Sequence, residues 1–455
     1  MELISQPIIV GMQSFLRSNK FLSLASNGSS AILGLIRFGL TARLLDTKEF
    51  GIWAFFIMFY SLFDMLRTGL LSNVVVKKWS ETENAEEHKS IKGATWQLAG
   101  GLSIGLSILS IIALVVLKKM GAGEAYLLTA LYFAPSLMLS LPQTVSTWLL
   151  NAQMKFDSLL GLRLALQIPA ILLTMGLYWV YPIMKWYGYA PLHAIFWIHL
   201  LSTAMVSLIC LLMGWGGISF LRKGTAKLRK ELVDFGRYSM GTSISTHLLK
   251  SSDTFLLMPF RGPIAVALYN IPERLLQILE IPVRSVVQAT FPKLARVFHR
   301  NPNDFNKILH GETFILTLGM LPIVIGVLLF ADTLVIWLGG DKYVDSANVL
   351  RVFAIYTALV PMDRYSGIAM DAMGKPELNF RKVIIMLLTN LVGDIVVLQL
   401  GYGVLAVSLV SVLTFSMGVF YGYYLLIKTT GIPLKAVISM GKEGLISRIR
   451  TISGS

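Results

Sequence analysis

Long apolar runs alternate with short polar connectors along almost the whole chain. The runs fall at 22–44, 51–76, 94–117, 125–150, 158–181, 191–213, 234–258, 264–290, 309–331, 346–372, 383–400 and 403–427. A helix needs roughly 20 apolar residues to cross about 30 Å of hydrocarbon, and these runs have that length. Open strands leave backbone groups unsatisfied in lipid, so helices are the sensible reading. The pattern predicts an all-α integral membrane protein with about twelve transmembrane helices and no inserted soluble domain. Residues 1–20 have no basic region ahead of their apolar part and no small-residue cleavage site. They read as the approach to the first span rather than as a cleavable signal.

Composition agrees with the pattern. Hydrophobic residues make up 55% of the chain, charged residues 14%, and mean hydropathy is +0.67; soluble domains run near a quarter charged. The net charge of +15 raises the question of nucleic acid. However, 26 of the 40 basic residues lie in or beside connectors of one side, 6 lie on the other and 8 lie within spans. That bias is what membrane topology produces. It predicts both termini in the cytoplasm and no nucleic-acid partner. The most basic connector (Arg222, Lys223, Lys227, Arg229, Lys230, Arg237) falls at the midpoint. The expected organisation is a six-helix bundle over 1–213, a basic cytoplasmic linker over 214–233, a second six-helix bundle over 234–427, and a cytoplasmic tail over 428–455. The tail mixes Leu434, Val437 and Ile438 with Lys435 and Lys442, a pattern that suits an anionic leaflet and equally a frayed end. The lone Cys210 and six scattered histidines offer no metal or cofactor site.

The halves resemble each other. ARLLDTKEFGIWAFF (42–56) and LLMPFRGPIAVALYN (256–270) each give a short turn and then an aromatic, Trp53 or Tyr269, opening the next helix. Eleven residues on stand Asp64 and Glu280. LLNAQMKFDSLL (149–160) and AMDAMGKPELNF (369–380) each run from Asn or Asp through Ala to a lysine, Lys155 or Lys375. Halves of six helices start on the same side, so the repeat is parallel. Such pairs place a substrate site near the midplane between them.

Ionisable groups inside the spans are the candidate chemistry, because lipid tolerates them only where they face protein or a watered cavity. In 232–260, His247, Lys250 and Asp253 share one arc of a helix, and Lys250 with Asp253 makes an i,i+3 pair. Glu273, Gln277, Glu280, Arg284 and Gln288 step by four, three, four and four, forming one narrow stripe. Either set lines a polar path or forms a packed polar seam. Asp363, Arg364 and Asp371 follow, then Asp394. In the first half Asp64 and Arg67 pair at i,i+3. Arg37 has no partner on its own helix, so it either grips an anion through its guanidinium or meets an acid on a neighbour. The candidates are thus Arg37, Arg67, Lys250, Gln277, Arg284 and Arg364 for substrate, and Asp64, Asp253, Glu273 and Glu280 for a coupling ion.

Taken together, LLDTKEFGIW, SSDTFLLMPFRGPIAVALYN, the MGKPELNF turn and GYGVLAVSLVSVL resemble the polysaccharide-export branch of the multidrug/oligosaccharidyl-lipid/polysaccharide flippase superfamily, over nearly the whole chain. Asp253 fits an acid that members carry near the start of helix seven. The resemblance implies a V-shaped pair of bundles like that of the multidrug transporters. It implies an O-antigen or capsule flippase that moves a polyprenyl-diphosphate-linked oligosaccharide between leaflets of the cytoplasmic membrane, coupled to protons or sodium. Its expected partners are that lipid-linked substrate, membrane lipids and polysaccharide-assembly proteins. The rival within the superfamily is an organic-cation antiporter. The peptidoglycan-precursor flippases carry two further helices, which 428–455 cannot supply. A membrane glycosyltransferase is disfavoured by the short outer connectors and the absence of an Asp-x-Asp pair outside the spans, so no enzyme is expected.

Overall fold

Apolar stretches and their polar punctuation become helices whose ends are set by capping chemistry. The structure, a computed structural model, describes residues 19–186, 190–298, 300–431 and 439. The tail expected at 428–455 lies almost wholly outside them. The described helices are α1 (Asn19–Leu44), α2 (Thr47–Ser80), α3 (Ala85–Lys119), α4 (Glu124–Ala152), α5 (Phe156–Trp186) and α6 (Pro191–Leu212). A 73-residue helical run, Ala226–Phe298, follows and is broken at Gly262 (φ 77°, ψ −176°), which gives α7 (226–261) and α8 (263–298). Then come α9 (Pro302–Gly339), α10 (Ala347–Thr357), α11 (Val360–Ala372), α12 (Pro376–Gln399) and α13 (Val404–Thr430). Asp46 and Glu49 close a capping box at the start of α2, each side chain accepting from the other's backbone N–H.

Nine helical stretches among the described residues are long and apolar enough to cross a membrane. The count differs from the twelve expected runs for identifiable reasons. One stretch, Ser243–Phe298, holds two expected spans on either side of Gly262. The expected span 346–372 is two short helices instead of one. Pro361 has no N–H to donate to the Thr357 carbonyl and its ring crowds that group, so α10 ends at Thr357 and α11 begins at Val360. The third is α1, which is not among the nine. Along α3 the outward face is uniformly aliphatic (Ile104, Ile108, Ile111, Ile112, Val115) and exposed, as a lipid-facing surface should be. Its opposite face is small and polar: Ala99, Ser103, Ser107 and Ser110 are buried, and the Ser110 hydroxyl donates to the Ala130 carbonyl of α4 at 2.8 Å. Small residues let backbones approach where lipid offers no hydrophobic drive.

The chain divides into two compact units, 1–244 and 245–455. Unit 1 packs α2, α3, α4 and the start of α7 around Leu71, Val74, Ala94, Val145, Leu149 and Leu232. The stretch expected as a linker holds a short 3-10 turn, Ile218–Lys223, fastened to α3, and the boundary falls later, inside α7. In unit 2, Arg261 at the break donates to the carbonyls of Tyr402 (2.9 Å) and Leu398 (3.0 Å), tying the α7–α8 turn to the end of α12.

Candidate functional site: a charged cavity in unit 2

The second unit encloses a cavity of ≈ 250 Å³ lined by α7, α8, α10, α11, α12 and α13. Four-residue spacing puts its charges there. On α12 the buried residues are Lys382, Met386, Asn390, Asp394 and Leu398, one strict i,i+4 row. On α8, Glu273, Gln277, Glu280 and Arg284 of the polar stripe line the wall, whereas Gln288, one turn on, does not.

One end of the cavity is acidic. Asp253 of α7 accepts hydrogen bonds from the Tyr269 hydroxyl, the Asn390 amide and the hydroxyls of Ser411 (3.2 Å) and Ser252 (3.3 Å). The same Asn390 amide donates to Asp394 Oδ2 at 3.1 Å, and Asn390 Oδ1 accepts from Thr414 at 3.0 Å. Asp394 is 0% exposed and its Oδ1 has no hydrogen-bond partner among the described residues. Two buried carboxylates therefore share one amide, and among the described residues no basic side chain is ion-paired to either.

Basic groups gather elsewhere on the lining. Arg284 Nη2 lies 2.6 Å and Arg364 Nη2 3.5 Å from the same Glu280 oxygen. Arg364 Nε is buried without a partner among the described residues. Lys250 feels the charges of Arg284, Arg364, Glu280 and Glu273, with no ion pair of its own among the described residues. Two guanidiniums thus share one Glu280 oxygen, and Lys250 lies within electrostatic reach of them and of Glu280 and Glu273. Glu273 accepts from Gln277 at 3.1 Å and lies within electrostatic reach of both Asp253 and Lys250, so it links the two groups. Lys382, at 2% exposure, is tied to Asp363 (2.8 Å), the Asp363 carbonyl (2.7 Å) and Ser366 (3.2 Å); it braces α11 against α12.

Seven of the sequence candidates line this one cavity: Lys250, Asp253, Glu273, Gln277, Glu280, Arg284 and Arg364. Arg37, Asp64 and Arg67 belong to unit 1 and do not. Arg67 is fully buried, and its five N–H groups go to Asp64 (twice), Ser103, Ser140 and the Leu137 carbonyl, the whole donor set of a guanidinium. Arg37 is half-buried, with no ion pair among the described residues. Lys382, Asn390 and Tyr269 line the cavity without being sequence candidates, Asp363 and Asp371 line it as residues marked only as ionisable groups within a span, and Asp394 lies behind the lining, reached through Asn390. Lys382 stands just ahead of the apolar run 383–400, and the four-residue row from 382 to 394 is the signal that places it on the buried face.

A multi-pass helical membrane protein with a cavity of mixed charge inside one helical unit is the class these features define. Solved structures place the fold more closely. The lipid II flippase MurJ in an inward closed conformation superposes with a TM-score of 0.69 at 17% identity, covering 94% of this chain and 91% of that one. An inward-facing MATE family multidrug transporter of the MOP superfamily gives 0.71 at 16% identity, covering 88% and 95%. The model of a family described as polysaccharide biosynthesis protein matches residues 16–298, more than half the chain, and the chain belongs to that family. Among curated relatives, a probable low-salt glycan biosynthesis flippase, Agl15 of Haloferax volcanii, is 22% identical over 207 residues (45% of this chain, 44% of the relative). A putative O-antigen transporter of Shigella flexneri is 27% identical over 158 residues (33% and 36%). The matches span less than half the length of these relatives.

Proposed function

We propose that the protein is a flippase. It moves a polyprenyl-diphosphate-linked oligosaccharide from the inner to the outer leaflet of the cytoplasmic membrane by alternating access, with both termini in the cytoplasm, and it supplies polysaccharide assembly. The observation that carries this is the pair of guanidiniums, Arg284 and Arg364, on one oxygen of Glu280, with Lys250 within electrostatic reach of all three. A diphosphate entering that cluster would meet two planar guanidinium forks and an ammonium. The relatives named as a glycan flippase and an O-antigen transporter support the same substrate class.

Asp253 and Asp394 supply the second half of the reading. Two buried carboxylates cost several kcal/mol unless a proton or a cation neutralises them. Loading and release of that ion is the proposed coupling step, with Glu273 between the acidic end and Lys250. Two of the curated relatives are named as a flippase and a transporter, which supports transport rather than catalysis as the role of the cavity.

The test is complementation of a strain lacking the native gene. Lys250→Gln with Arg364→Gln, at normal membrane abundance, is expected to abolish surface polysaccharide, and Arg37→Gln alone tests the first-unit candidate. Full polysaccharide in the double variant would refute the proposed phosphate site.

A further inference from the structure

The connector between α6 and α7 holds the chain's densest run of basic residues, and nothing in its sequence requires a fixed shape. It has one. The Trp96 indole donates to the Gly216 carbonyl at 2.7 Å, the Gln97 amide to Leu221 O at 2.8 Å, and the Ser90 hydroxyl to Lys223 O at 3.0 Å. Backbones touch across Gly93 and Gly224: a Cβ on Gly224 would stand 2.6 Å from the Ala94 nitrogen, and one on Gly93 would meet the Phe220 carbonyl oxygen. The turn is therefore pinned to α3. Yet none of its residues from Ile218 to Lys223 is buried. Ile218 and Leu221 are 44% and 40% exposed, beside the exposed cations Arg222 and Lys223. A rigid turn that presents aliphatic tips and cations together has the makeup of a membrane-interface element.

A second observation stands beside it. Lys92 of α3 is half-buried, its ammonium 5.6 Å from the Trp79 ring centre and 5.4 Å from that of Phe220. No acid is ion-paired to it among the described residues, and the charge that acts on it is another cation, Lys155 of the α4–α5 turn. The adjacent Lys89 and Lys223 are both engaged by Glu86, at 2.6 and 3.0 Å. Like charges repel, and an anion placed between Lys92 and Lys155 would reverse the sign of both interactions.

We propose that this end of unit 1 is a dock for an acidic phospholipid: Lys92 and Lys155 take the phosphodiester while Ile218 and Leu221 enter the acyl region. Charge complementarity selects an anionic headgroup, and the aliphatic tips select a lipid over free phosphate, to which they would contribute nothing. The site is separate from the unit 2 cavity and does not depend on which substrate that cavity carries.

Native mass spectrometry of the purified full chain, equilibrated with equal amounts of phosphatidylglycerol and phosphatidylcholine, tests this. The wild-type protein retains phosphatidylglycerol preferentially. Lys92→Gln with Lys155→Gln reduces that retention about thirtyfold, the scale expected for two lysines at an anionic surface. Ile218→Ser with Leu221→Ser reduces it as well, whereas Lys48→Gln, which loses an exposed pair with Glu124 at the other end of α2, leaves it unchanged. Undiminished preference in the lysine double variant overturns the proposal. Full retention in the aliphatic variant, with displacement by millimolar inorganic phosphate, overturns the lipid dock in favour of a bare phosphate site. If the double variant is unstable, the exposed Lys155→Gln alone carries the test with a loss of about fivefold.

Discussion

Every N–H of Arg67 has an acceptor, whereas Arg364 leaves Nε buried and unpartnered among the described residues and reaches Glu280 only at 3.5 Å. The first arrangement holds helices together; the second leaves capacity for a ligand. Lys382 and Asp363 belong with Arg67, since the ammonium has three acceptors and both residues are nearly enclosed. Removing one partner of a buried pair strands the other charge, at a cost of about 3–5 kcal/mol, while replacing both with apolar groups of similar size is close to neutral. Lys382→Met should therefore lower the thermal midpoint of the solubilised protein sharply, and adding Asp363→Leu should restore most of it. Equal losses in the single and double variants would contradict the bracing role. The sequence marks Glu273, Glu280 and Arg284 as one face because they share a helix. It leaves Asn390 unmarked because the feature that matters, one amide between Asp253 and Asp394, joins residues more than 130 positions apart.

Among the elements, the internal repeat has its plainest expression in two turns. At the end of α4, the backbone N–H groups of Gln153, Met154 and Lys155 donate to Leu149, Asn151 and Leu150. At the end of α11, those of Met373, Gly374 and Lys375 donate to Ala369, Asp371 and Met370. The two patterns coincide at a constant offset of 220 residues, and both place a left-handed residue at the same step: Gly374 (φ 71°) and Met154 (φ 56°), the latter the one non-glycine with positive φ among the described residues. A side chain in that conformation costs roughly 1–2 kcal/mol. Gly374→Ala is expected to lower stability by about 1 kcal/mol and Met154→Gly to raise or preserve it, as read from thermal unfolding. The opposite ordering would deny that the turns are equivalent. The apolar runs made these helices legible, but hydropathy does not sense where a helix breaks. Residues 346–372 are apolar throughout, and their division rests on one proline and its effect on the Thr357 carbonyl.

For the molecule as a whole, the basic residues do two jobs that a net charge of +15 does not separate. Those in the connectors set the proposed orientation and, around the 218–223 turn, the proposed lipid dock. The few inside unit 2 form the proposed phosphate site, and the two buried carboxylates Asp253 and Asp394 form the proposed coupling site. The membrane class and the position of most of the unit 2 lining were readable from periodicity and from the cost of charge in lipid. The confinement of that lining to one unit was not, because Arg37, Asp64 and Arg67 look equally intramembrane along the sequence. The most direct measurement is flipping of a fluorescent polyprenyl-diphosphate oligosaccharide in proteoliposomes, with wild-type protein, Lys250→Gln/Arg364→Gln and Asp394→Asn, each with and without an imposed proton or sodium gradient. The account predicts gradient-driven flipping by the wild type, none by the double variant, and flipping indifferent to the gradient in Asp394→Asn. Wild-type rates in the double variant would contradict it.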